Sequence, residues 1–425
     1  MTTGSLTQDG DERTDLTDQR RIAQCGSNRE ESFLFTSESV GVGHPDKLCD
    51  IVCDAILDAY LAEDPFAKVS CEAAAKTGLI MLLGKVESTA RIDYEQVARD
   101  TILRIGYDDS SKGFDGNTCN VLLAITHSSS TQTHGNGEVK VTASDQGLMF
   151  GYATDETPEC MPLTLLLAHR LTARYQMLRE SSALPWARPD AKSQSPAQVT
   201  IAYKFENGAC VPLRLHSIVM SVQHSPEISL EKLRKQLLEE VVLPVCPSQY
   251  IDDKTQVHLN PCGTFWHGGP MGDAGLTGRK IIVDTYGGWG AHGGGSFSGK
   301  DPSKMDRSAA YAARWIAKSL VAAGLCRRVL IQIAYGIGSI DPVSLTIFSY
   351  GTSTLSEGEL LDVVNSNFNL RAGFIIKELN LRRPIYRATA ENGHFGHEDF
   401  PWEKAKKLII PPSIAAKIRG ATASR

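Results

Sequence analysis

The sequence predicts an α+β fold of three similar subdomains related by pseudo-threefold symmetry. A helix–strand–strand–helix pattern occurs three times along the 425 residues, which indicates internal repetition. The predicted strands are short and alternate with amphipathic helices, which favours sheets covered by helices. The repetition lies in the pattern and not in residue-by-residue similarity. We predict a disordered tail over residues 1–32, followed by subdomains over residues 33–131, 144–267 and 268–407.

The first unit opens with the clearest helix of the chain. Pro45 suits a first helical position, because its missing N–H would have no partner there. Apolar residues then recur at helical spacing between residues 48 and 59. Asp50, Asp54 and Asp58 fall on the other side, and we predict that Asp54 and Asp58 face solvent.

Turn residues separate the strands and end the helices of the three units. Asn207-Gly208 is typical of a tight hairpin turn, and Gly324 is typical of a residue that ends a helix. The other predicted elements are strands over residues 69–75 and 79–86 with a helix over 93–105, then a helix over 161–178, strands over 199–205 and 213–222 and a helix over 230–240, then a helix over 308–323, strands over 329–335 and 344–349 and a helix over 357–368.

A glycine-rich segment over residues 268–299 is the strongest indication of function. Twelve of its 32 residues are glycine, interleaved with lysines, arginines and aspartates. Glycine lets a backbone approach a ligand closely, and alternating cations and carboxylates suit a polyphosphate with its metal ion. A surface linker is the alternative, but linkers lack so many charges and the apolar insert after Lys280. Residues 43–47, Gly-His-Pro-Asp-Lys, have similar chemistry.

Composition excludes several classes of protein. The net charge is −5 and the cations form no stripe, so we expect no nucleic-acid partner. No apolar run approaches the roughly 20 residues of a membrane helix, and the first residues do not resemble a secretory signal. Ten cysteines lack zinc-binding spacing, so we predict buried, reduced thiols and a cytoplasmic location.

Two polar segments interrupt the predicted units. Residues 126–144 are rich in glycine, serine and threonine, and a loop of this length in a compact domain is often a lid or a binding loop. Residues 186–196 form a polar turn that carries Asp190 and Lys192.

Several long motifs, in the same order along the chain, resemble those of S-adenosylmethionine synthase, also called methionine adenosyltransferase. The matching segments are FTSESVGVGHPDK at residues 35–47, RPDAKSQ at 188–194, the glycine-rich segment continued to residue 314, and GHFG at 393–396. The resemblance runs from about residue 33 to residue 407. It implies three α+β subdomains, a tight homodimer that is often paired into a homotetramer, and active sites between two subunits.

The resemblance also implies a reaction. The sulfur of L-methionine displaces triphosphate from C5′ of ATP, and the triphosphate is hydrolysed to phosphate and diphosphate, with Mg²⁺ and K⁺ as cofactors. The residue roles that the resemblance implies are catalysis by His44, Lys280, Lys300 and Arg279; ATP binding by His44, Asp190, Lys192, Phe265, Asp273, Arg279, Lys280, Ser296 and Lys300; methionine binding by Asp273, Lys304 and the position of Lys85; Mg²⁺ binding by Asp46 and Asp306; and K⁺ binding by Glu72.

Each assignment has a structural alternative. His44 precedes a predicted helix and could be its cap. Lys300 and Lys304 could form the solvated entry of a helix, and Glu72 could be a carboxylate at a strand edge.

The chain departs from the family pattern mainly where methionine would bind. Val42, Lys85 and Thr264 stand where the family has glutamate, glutamate and arginine, and the loop over residues 126–144 lacks the family's lid motif. At an effective dielectric constant of 20, a close pair of unit charges interacts by about 4 kcal/mol. A lysine in place of a glutamate should therefore weaken binding of the methionine ammonium group.

Three hypotheses follow: an active synthase, a catalytically weak paralogue that is the partner or regulatory subunit of an intact synthase, and a nucleotide-binding protein without transferase activity. The resemblance implies that each site draws residues from two subunits: one supplies Asp46, Glu72, Asp273, Lys300 and Lys304, and the other supplies His44, Lys85, Asp190, Lys192, Thr264, Phe265, Arg279 and Lys280. The altered ligand positions all fall in the second set, which sharpens the second hypothesis.

Overall fold

The fold is known from a computed structural model that describes residues 32–129, 141–190 and 197–423. The predictions for the N-terminal tail, for most of the loop over residues 126–144 and for Lys192 therefore lie outside the described residues. The start of that loop is ordered differently from the prediction, because residues 126–128 continue a β-strand.

The described residues form strands and helices close to the predicted bounds. The strands are β1 (Ser32–Ser39), β2 (Lys68–Lys76), β3 (Leu79–Glu87), β4 (Asp108–Asp109), β5 (Phe114–Asp115), β6 (Asn120–Ser128), β7 (Gly147–Thr154), β8 (Ala197–Glu206), β9 (Ala209–Met220), β10 (Gln256–Leu259), β11 (Gly275–Leu276), β12 (Arg328–Tyr335) and β13 (Ser344–Phe348). The α-helices are α1 (Pro45–Glu63), α2 (Tyr94–Ile105), α3 (Leu163–Glu180), α4 (Leu230–Leu237), α5 (Leu243–Val245), α6 (Gly269–Gly272), α7 (Ile281–Asp284), α8 (Met305–Ala322), α9 (Glu357–Asn367), α10 (Ala372–Glu378), α11 (Tyr386–Thr389) and α12 (Pro412–Ala423). Short 3₁₀ turns span Ser110–Lys112, Ser248–Tyr250 and Pro401–Glu403, and a π-helical turn spans Leu238–Val242.

The local signals in the sequence explain these bounds. Pro45 opens α1, and the chain leaves α8 through Gly324, whose φ is +68°. Asn207 and Gly208 both have positive φ and join β8 to β9, as a tight hairpin requires. The predicted α+β class with three helix–strand–strand–helix units is confirmed.

The three larger sheets exchange strands in a cycle that the sequence does not reveal. Their strand orders are β11-β2-β3-β6, β1-β8-β9-β10 and β13-β12-β7. The N-terminal segment gives β1 to the second sheet, the central segment gives β7 to the third, and the C-terminal segment gives β11 to the first. Each donated strand lies antiparallel at an edge. The three segments are therefore joined by backbone hydrogen bonds as well as by side-chain packing.

Helices cover these sheets and complete one continuous core. Helix α1 packs on β2, α3 packs on β1 and β8, and α8 packs on β7 and β12. Helix α1 is buried on nearly all sides, including Asp50 and Asp54, while Asp58 is half-buried. The prediction that Asp54 and Asp58 face solvent is wrong, because the glycine-rich segment covers Asp54 and the start of α11 covers Asp58.

The described cysteines fit the prediction of reduced thiols. Nine are free, and all of these except Cys262 are buried. Within the described ranges, the helices are all too short or too polar to cross a membrane.

Candidate active site

Both ends of the glycine-rich segment lie along the same edge of β2. On the incoming side, β11 pairs with Ala74 and Ala75. On the outgoing side, the Cys71 N–H donates to the Gly299 carbonyl at 3.0 Å, and the Asp301 N–H donates to the Val69 carbonyl at 3.1 Å. This common edge brings Lys280 and Lys300 to one region although 20 residues separate them in the chain.

Three aspartates of α1, spaced four residues apart, hold the glycine-rich segment. Asp46 accepts a hydrogen bond from the Leu276 N–H at 3.0 Å, Asp50 from the Gly278 N–H at 2.9 Å, and Asp54 from the Gly299 N–H at 2.8 Å. Residues four apart lie on one helix face, so the row of carboxylates follows the loop. Sequence reasoning missed this role of Asp50 and Asp54, and their regular spacing on an otherwise apolar helix was the available signal.

Glycine is required where the loop touches the strand. Gly299 has φ +76°, and a Cβ there would lie 1.9 Å from the Cys71 carbonyl oxygen. A Cβ on Gly278 would lie 2.5 Å from the Cβ of Ser296. Ser296 therefore packs directly beside the residue that precedes Arg279.

Asp46 is the centre of a charged cluster. Its Oδ2 lies 2.7 Å from the Lys280 Nζ, and its Oδ1 lies 3.9 Å from the Arg279 guanidinium. The Arg279 side chain is half exposed, and Lys280 is less so. The start of α1 and the entry to α7 thus join a buried carboxylate to two cations that reach towards solvent.

His44 lies in the same cluster and caps α1. Its Nδ1 accepts the hydrogen bond of the Asp46 N–H at 3.0 Å, so the neutral ring carries its proton on Nε2. That Nε2 is buried and has no hydrogen-bond partner among the described residues. Since a buried donor without a partner is costly, His44 is suited to donate to an oxygen of a ligand. The cap and site interpretations of His44 are both compatible with this geometry.

The surroundings of His44 keep it uncharged. Burial, and then the positive charge of Lys280, lower its pKa from 6.5 to about 3, although Asp46 opposes the shift. Asp273, which is exposed, also acts on the His44 charge. The neutral ring is the form that leaves the Nδ1 acceptor available to the helix.

Acidification should therefore weaken the fold through His44. Below pH 6.5 the unfolded chain binds a proton at this residue, whereas the folded chain does so only near its pKa of about 3. Between pH 7 and pH 5 this difference corresponds to a loss of about 2 kcal/mol in the free energy of unfolding. His44→Gln should reduce the pH dependence by that amount in urea titrations at the two values. The exposed His267→Gln is the control, and an unchanged slope in His44→Gln would contradict the assignment.

Lys47 supports the cluster from beneath. Its Nζ lies 3.0 Å from Asp50 and 2.7 Å from Asp284, and all three side chains are buried. Burial raises the pKa of Asp284 to about 7, although the Lys47 charge opposes the shift. Lys47 thus ties α1 to α7, the short helix that directly follows Lys280.

Lys300 and Lys304 form a second group of cations near the start of α8. The Lys300 Nζ lies 2.6 Å from Asp306, and the Lys304 Nζ lies 3.0 Å from Asp301. About a fifth of each lysine side chain is exposed. Each lysine is therefore held by a carboxylate yet remains open to solvent. This arrangement differs from a freely solvated helix entry, which is the structural alternative for these two residues.

The outer face of the first sheet carries Lys300, Lys85 and Glu72. Ser70 of β2 pairs with Lys300 on one side and with Lys85 of β3 on the other, and directly paired residues point to the same face. Glu72 lies two residues along β2 on that face, and both Glu72 and Lys85 are exposed. Glu72, the predicted K⁺ ligand, and Lys85, the altered methionine position, are thus diagonal neighbours on this face.

Asp190 and Phe265, which are predicted to bind ATP, lie where the central segment meets α6. Asp190 is buried and accepts the Gly269 N–H at 2.7 Å. The Phe265 N–H donates to the His224 Nε2 at 3.1 Å, which fixes the chain just before α6. Phe265 is itself buried. The structure thus connects Asp190 and Phe265 to the start of the glycine-rich segment.

The family departures lie in different environments. Val42 is buried in the core between β1 and α1, whereas Thr264 and Lys85 are exposed. An apolar residue suits the position of Val42, and a charged one there would need a buried partner.

The carboxylates fit a metal ion only if a ligand contributes further oxygens. Over the described residues, no three histidine, cysteine or acidic groups converge as a metal cluster. Mg²⁺ commonly takes one or two carboxylates together with phosphate oxygens and water, so Asp46 and Asp306 are chemically suitable. In the chain itself each is neutralised by a lysine, which a polyphosphate could draw away.

One prediction about the subunits is wrong. Asp46 was assigned to one subunit and His44 and Lys280 to the other, but Asp46 contacts Lys280 at 2.7 Å within a single chain. The two sets of residues that were predicted to come from different subunits therefore meet within one chain. The family departures cannot be assigned to one subunit's side of the site on this basis.

Comparison with known protein families agrees with this geometry. Family models for the N-terminal, central and C-terminal domains of S-adenosylmethionine synthetase match residues 32–130, 140–265 and 267–404. The matches cover the segments that contribute α1, the exchanged strands and the glycine-rich loop, and they confirm the resemblance found in the sequence. By these three consecutive matches, the chain belongs to the S-adenosylmethionine synthetase family.

Proposed function

We propose that the chain synthesises S-adenosylmethionine from ATP and L-methionine and releases phosphate and diphosphate. Family membership supports an S-adenosylmethionine synthetase function in general. The observation that carries the proposal for this chain is the cluster of Asp46, Lys280, Arg279 and His44. It combines cations, a carboxylate and a buried N–H donor beside a glycine-rich loop.

The chemistry needs positive charge where triphosphate leaves. Lys280 and Lys300 are held at 2.7 and 2.6 Å from carboxylates, so both are preorganised before the nucleotide binds. We infer that phosphate oxygens take the place of these carboxylates as partners of the lysines. The His44 Nε2–H would donate to an oxygen near C5′ of ATP. Mg²⁺, bound by Asp46 and Asp306 together with phosphate oxygens, would supply further neutralisation of charge.

The assembly and the remaining ligands belong to the same proposal. The outer face of the first sheet exposes Leu122 and Leu276 beside Glu72 and Lys85, which supports a homodimer through this face, with the homotetramer as the larger assembly. K⁺ near Glu72 would then require oxygens from a second subunit. The buried thiols support a cytoplasmic location.

The decisive experiment is turnover by the purified chain. The chain should form S-adenosylmethionine from ATP and methionine with Mg²⁺ and K⁺ present, as measured by chromatography of the product. If it forms none alone but raises the turnover of an intact synthase subunit in a mixed assembly, the proposal fails and the alternative below is supported.

The alternative is a catalytically weak paralogue that serves as partner or regulatory subunit of an intact synthase. The observation that favours it is the position of Lys85. Lys85 and Lys300 pair with opposite sides of Ser70, so both lie on the same face of the first sheet. Two lysines across Ser70 would repel the ammonium group of methionine. A third possibility, nucleotide binding without transfer, predicts affinity for ATP but no turnover in either assembly.

Lys85→Glu should tighten methionine binding. A close charge pair is worth about 4 kcal/mol at an effective dielectric constant of 20, and exposure of this position reduces the value severalfold. We expect at least a tenfold gain in affinity, which is about 1.4 kcal/mol. Calorimetry with methionine and a non-reactive ATP analogue measures it.

Lys76→Glu at the end of β2 is the matched control, since it reverses a charge on the same strand pair. Unchanged methionine affinity in Lys85→Glu would contradict the explanation by charge.

A further inference from the structure

A cavity separate from the Asp46 cluster lies between the C-terminal end of α1 and the segment after α10. Its volume is about 210 Å³. It is lined by both apolar and charged residues, of which the informative ones are Phe66, Lys68, Asp301, Ser303, Lys304 and Arg382. Three of these six are cations and one is an anion, so the lining carries a net positive charge.

Arg382 is the least satisfied of the cations. Its guanidinium lies over the Phe66 ring, 4.1 Å from the centroid, and has no hydrogen bond or ion pair with a described residue. A guanidinium stacked on an aromatic face directs its N–H groups outward in its own plane, where they match two oxygens of an oxyanion. Burial lowers the pKa of Arg382, as expected for a charge with an incomplete set of partners.

Asp301 attracts the Arg382 charge but makes no hydrogen bond or ion pair with the guanidinium. Its Oδ2 accepts from the Val69 N–H at 2.8 Å and from Lys304 at 3.0 Å, and its Oδ1 accepts from the Ser303 N–H at 2.8 Å. The residue is buried, so these contacts satisfy its carboxylate. Its charge is already committed to fixing the backbone around the start of α8.

Lys68 adds further positive charge. Its contact with Glu87 is long, at 3.4 Å, and its side chain is 39% exposed. A pair with this length and exposure is weak, so Lys68 is available to a ligand. The cavity thus has a surplus of positive charge over one fully engaged carboxylate.

We propose that this cavity binds a small phosphate-type oxyanion, with Arg382 as the bidentate donor and Lys68 and Lys304 as supporting charges. Arg382, Phe66 and Lys68 have no role in the proposed synthase chemistry, whereas Lys304 is also a predicted methionine contact, so the cavity borders the proposed methionine site. The oxyanion could be free phosphate or diphosphate, or the terminal phosphate of a small metabolite, since all present the same oxygens.

The test is calorimetry of the full chain with inorganic phosphate, diphosphate or AMP at fixed ionic strength. The wild type should show saturable binding, and Arg382→Gln should weaken it at least tenfold. Arg383→Gln is the matched control, because this neighbouring arginine is exposed and, among the described residues, donates only to the Asn380 carbonyl, at 3.1 Å. A preference for AMP over the inorganic ions would identify a phosphorylated metabolite as the occupant.

Two further variants separate this cavity from the Asp46 cluster and from effects on folding. Lys280→Gln should retain phosphate binding at the cavity, whereas Phe66→Leu should weaken it while keeping every cation. No saturable binding by the wild type would overturn the proposal, as would equal binding by the wild type and Arg382→Gln. Loss of binding in Lys280→Gln alone would instead assign the anion to the Asp46 cluster.

Discussion

Lys280→Gln should lower the affinity for a non-reactive Mg²⁺–ATP analogue at least tenfold and, where turnover is measurable, reduce kcat by about 10²–10³-fold. The Lys280 Nζ lies 2.7 Å from the buried Asp46, and in the proposed reaction it is one of two lysines preorganised to meet the triphosphate. Removal of one preorganised donor to developing charge typically costs about 10²–10³ in rate. Calorimetry with the analogue and product chromatography measure the two effects.

Lys235→Gln is the matched control, because this exposed lysine of α4 belongs to no proposed site. Calorimetry does not require the chain to be active. The comparison of Lys280→Gln with the wild type therefore tests the nucleotide site even if the chain is a catalytically weak partner subunit. If Lys280→Gln and the wild type bind the analogue equally, the Asp46 cluster is not the nucleotide site.

Arg307→Met should lower the free energy of unfolding by about 3–5 kcal/mol. The two terminal guanidinium nitrogens of Arg307, Nη1 and Nη2, each lie 2.7 Å from an Asp54 oxygen, and both side chains are fully buried. The substitution leaves the Asp54 charge without a cation in the interior, which is far more costly than loss of an exposed pair. Urea unfolding followed by tryptophan fluorescence measures the change.

A control pair lies on the surface. Arg371→Met removes an ion pair of 2.9 Å with Asp341 whose members are more than half exposed, and it should cost less than about 1 kcal/mol. The double variant Asp54→Leu/Arg307→Met should regain part of the loss, because it leaves no uncompensated charge. A cost below about 1 kcal/mol for Arg307→Met alone would show that the buried pair contributes little.

The Arg307 variant also connects stability to the site. The guanidinium donates to the Lys300 carbonyl at 3.2 Å, and Asp54 holds the Gly299 N–H at 2.8 Å. The backbone that presents Lys300 is therefore fixed by the same buried pair. We expect a weakened nucleotide site in folded Arg307→Met even under conditions where the variant remains stable.

Much of the fold was predictable because its signals are local. Pro45, the Asn207-Gly208 turn and Gly324 marked element ends that the structure reproduces. The site residues came from motifs, and the structure joins His44, Asp46, Arg279 and Lys280 in one cluster. Lys192 lies outside the described residues, so its role remains a prediction, as does K⁺ binding at Glu72.

The solvent-facing prediction for Asp54 failed for a definite physical reason. Periodicity along α1 separates apolar from polar positions, but it does not reveal which other segment covers the polar side. Here the backbone N–H groups of Gly278 and Gly299 satisfy the carboxylates, and more than 200 residues separate each pair in the chain. A buried carboxylate is stable when such donors are present.

The sequence by itself determined the helix–strand units, the turns between them and the family, because side-chain periodicity and motifs are properties of neighbouring residues. Only the tertiary structure decided the cyclic exchange of β1, β7 and β11, and the contact of Asp46 with Lys280 across 234 residues. Those pairings depend on the path of the chain, since a strand edge or a buried charge bonds to whichever complementary group the fold brings near.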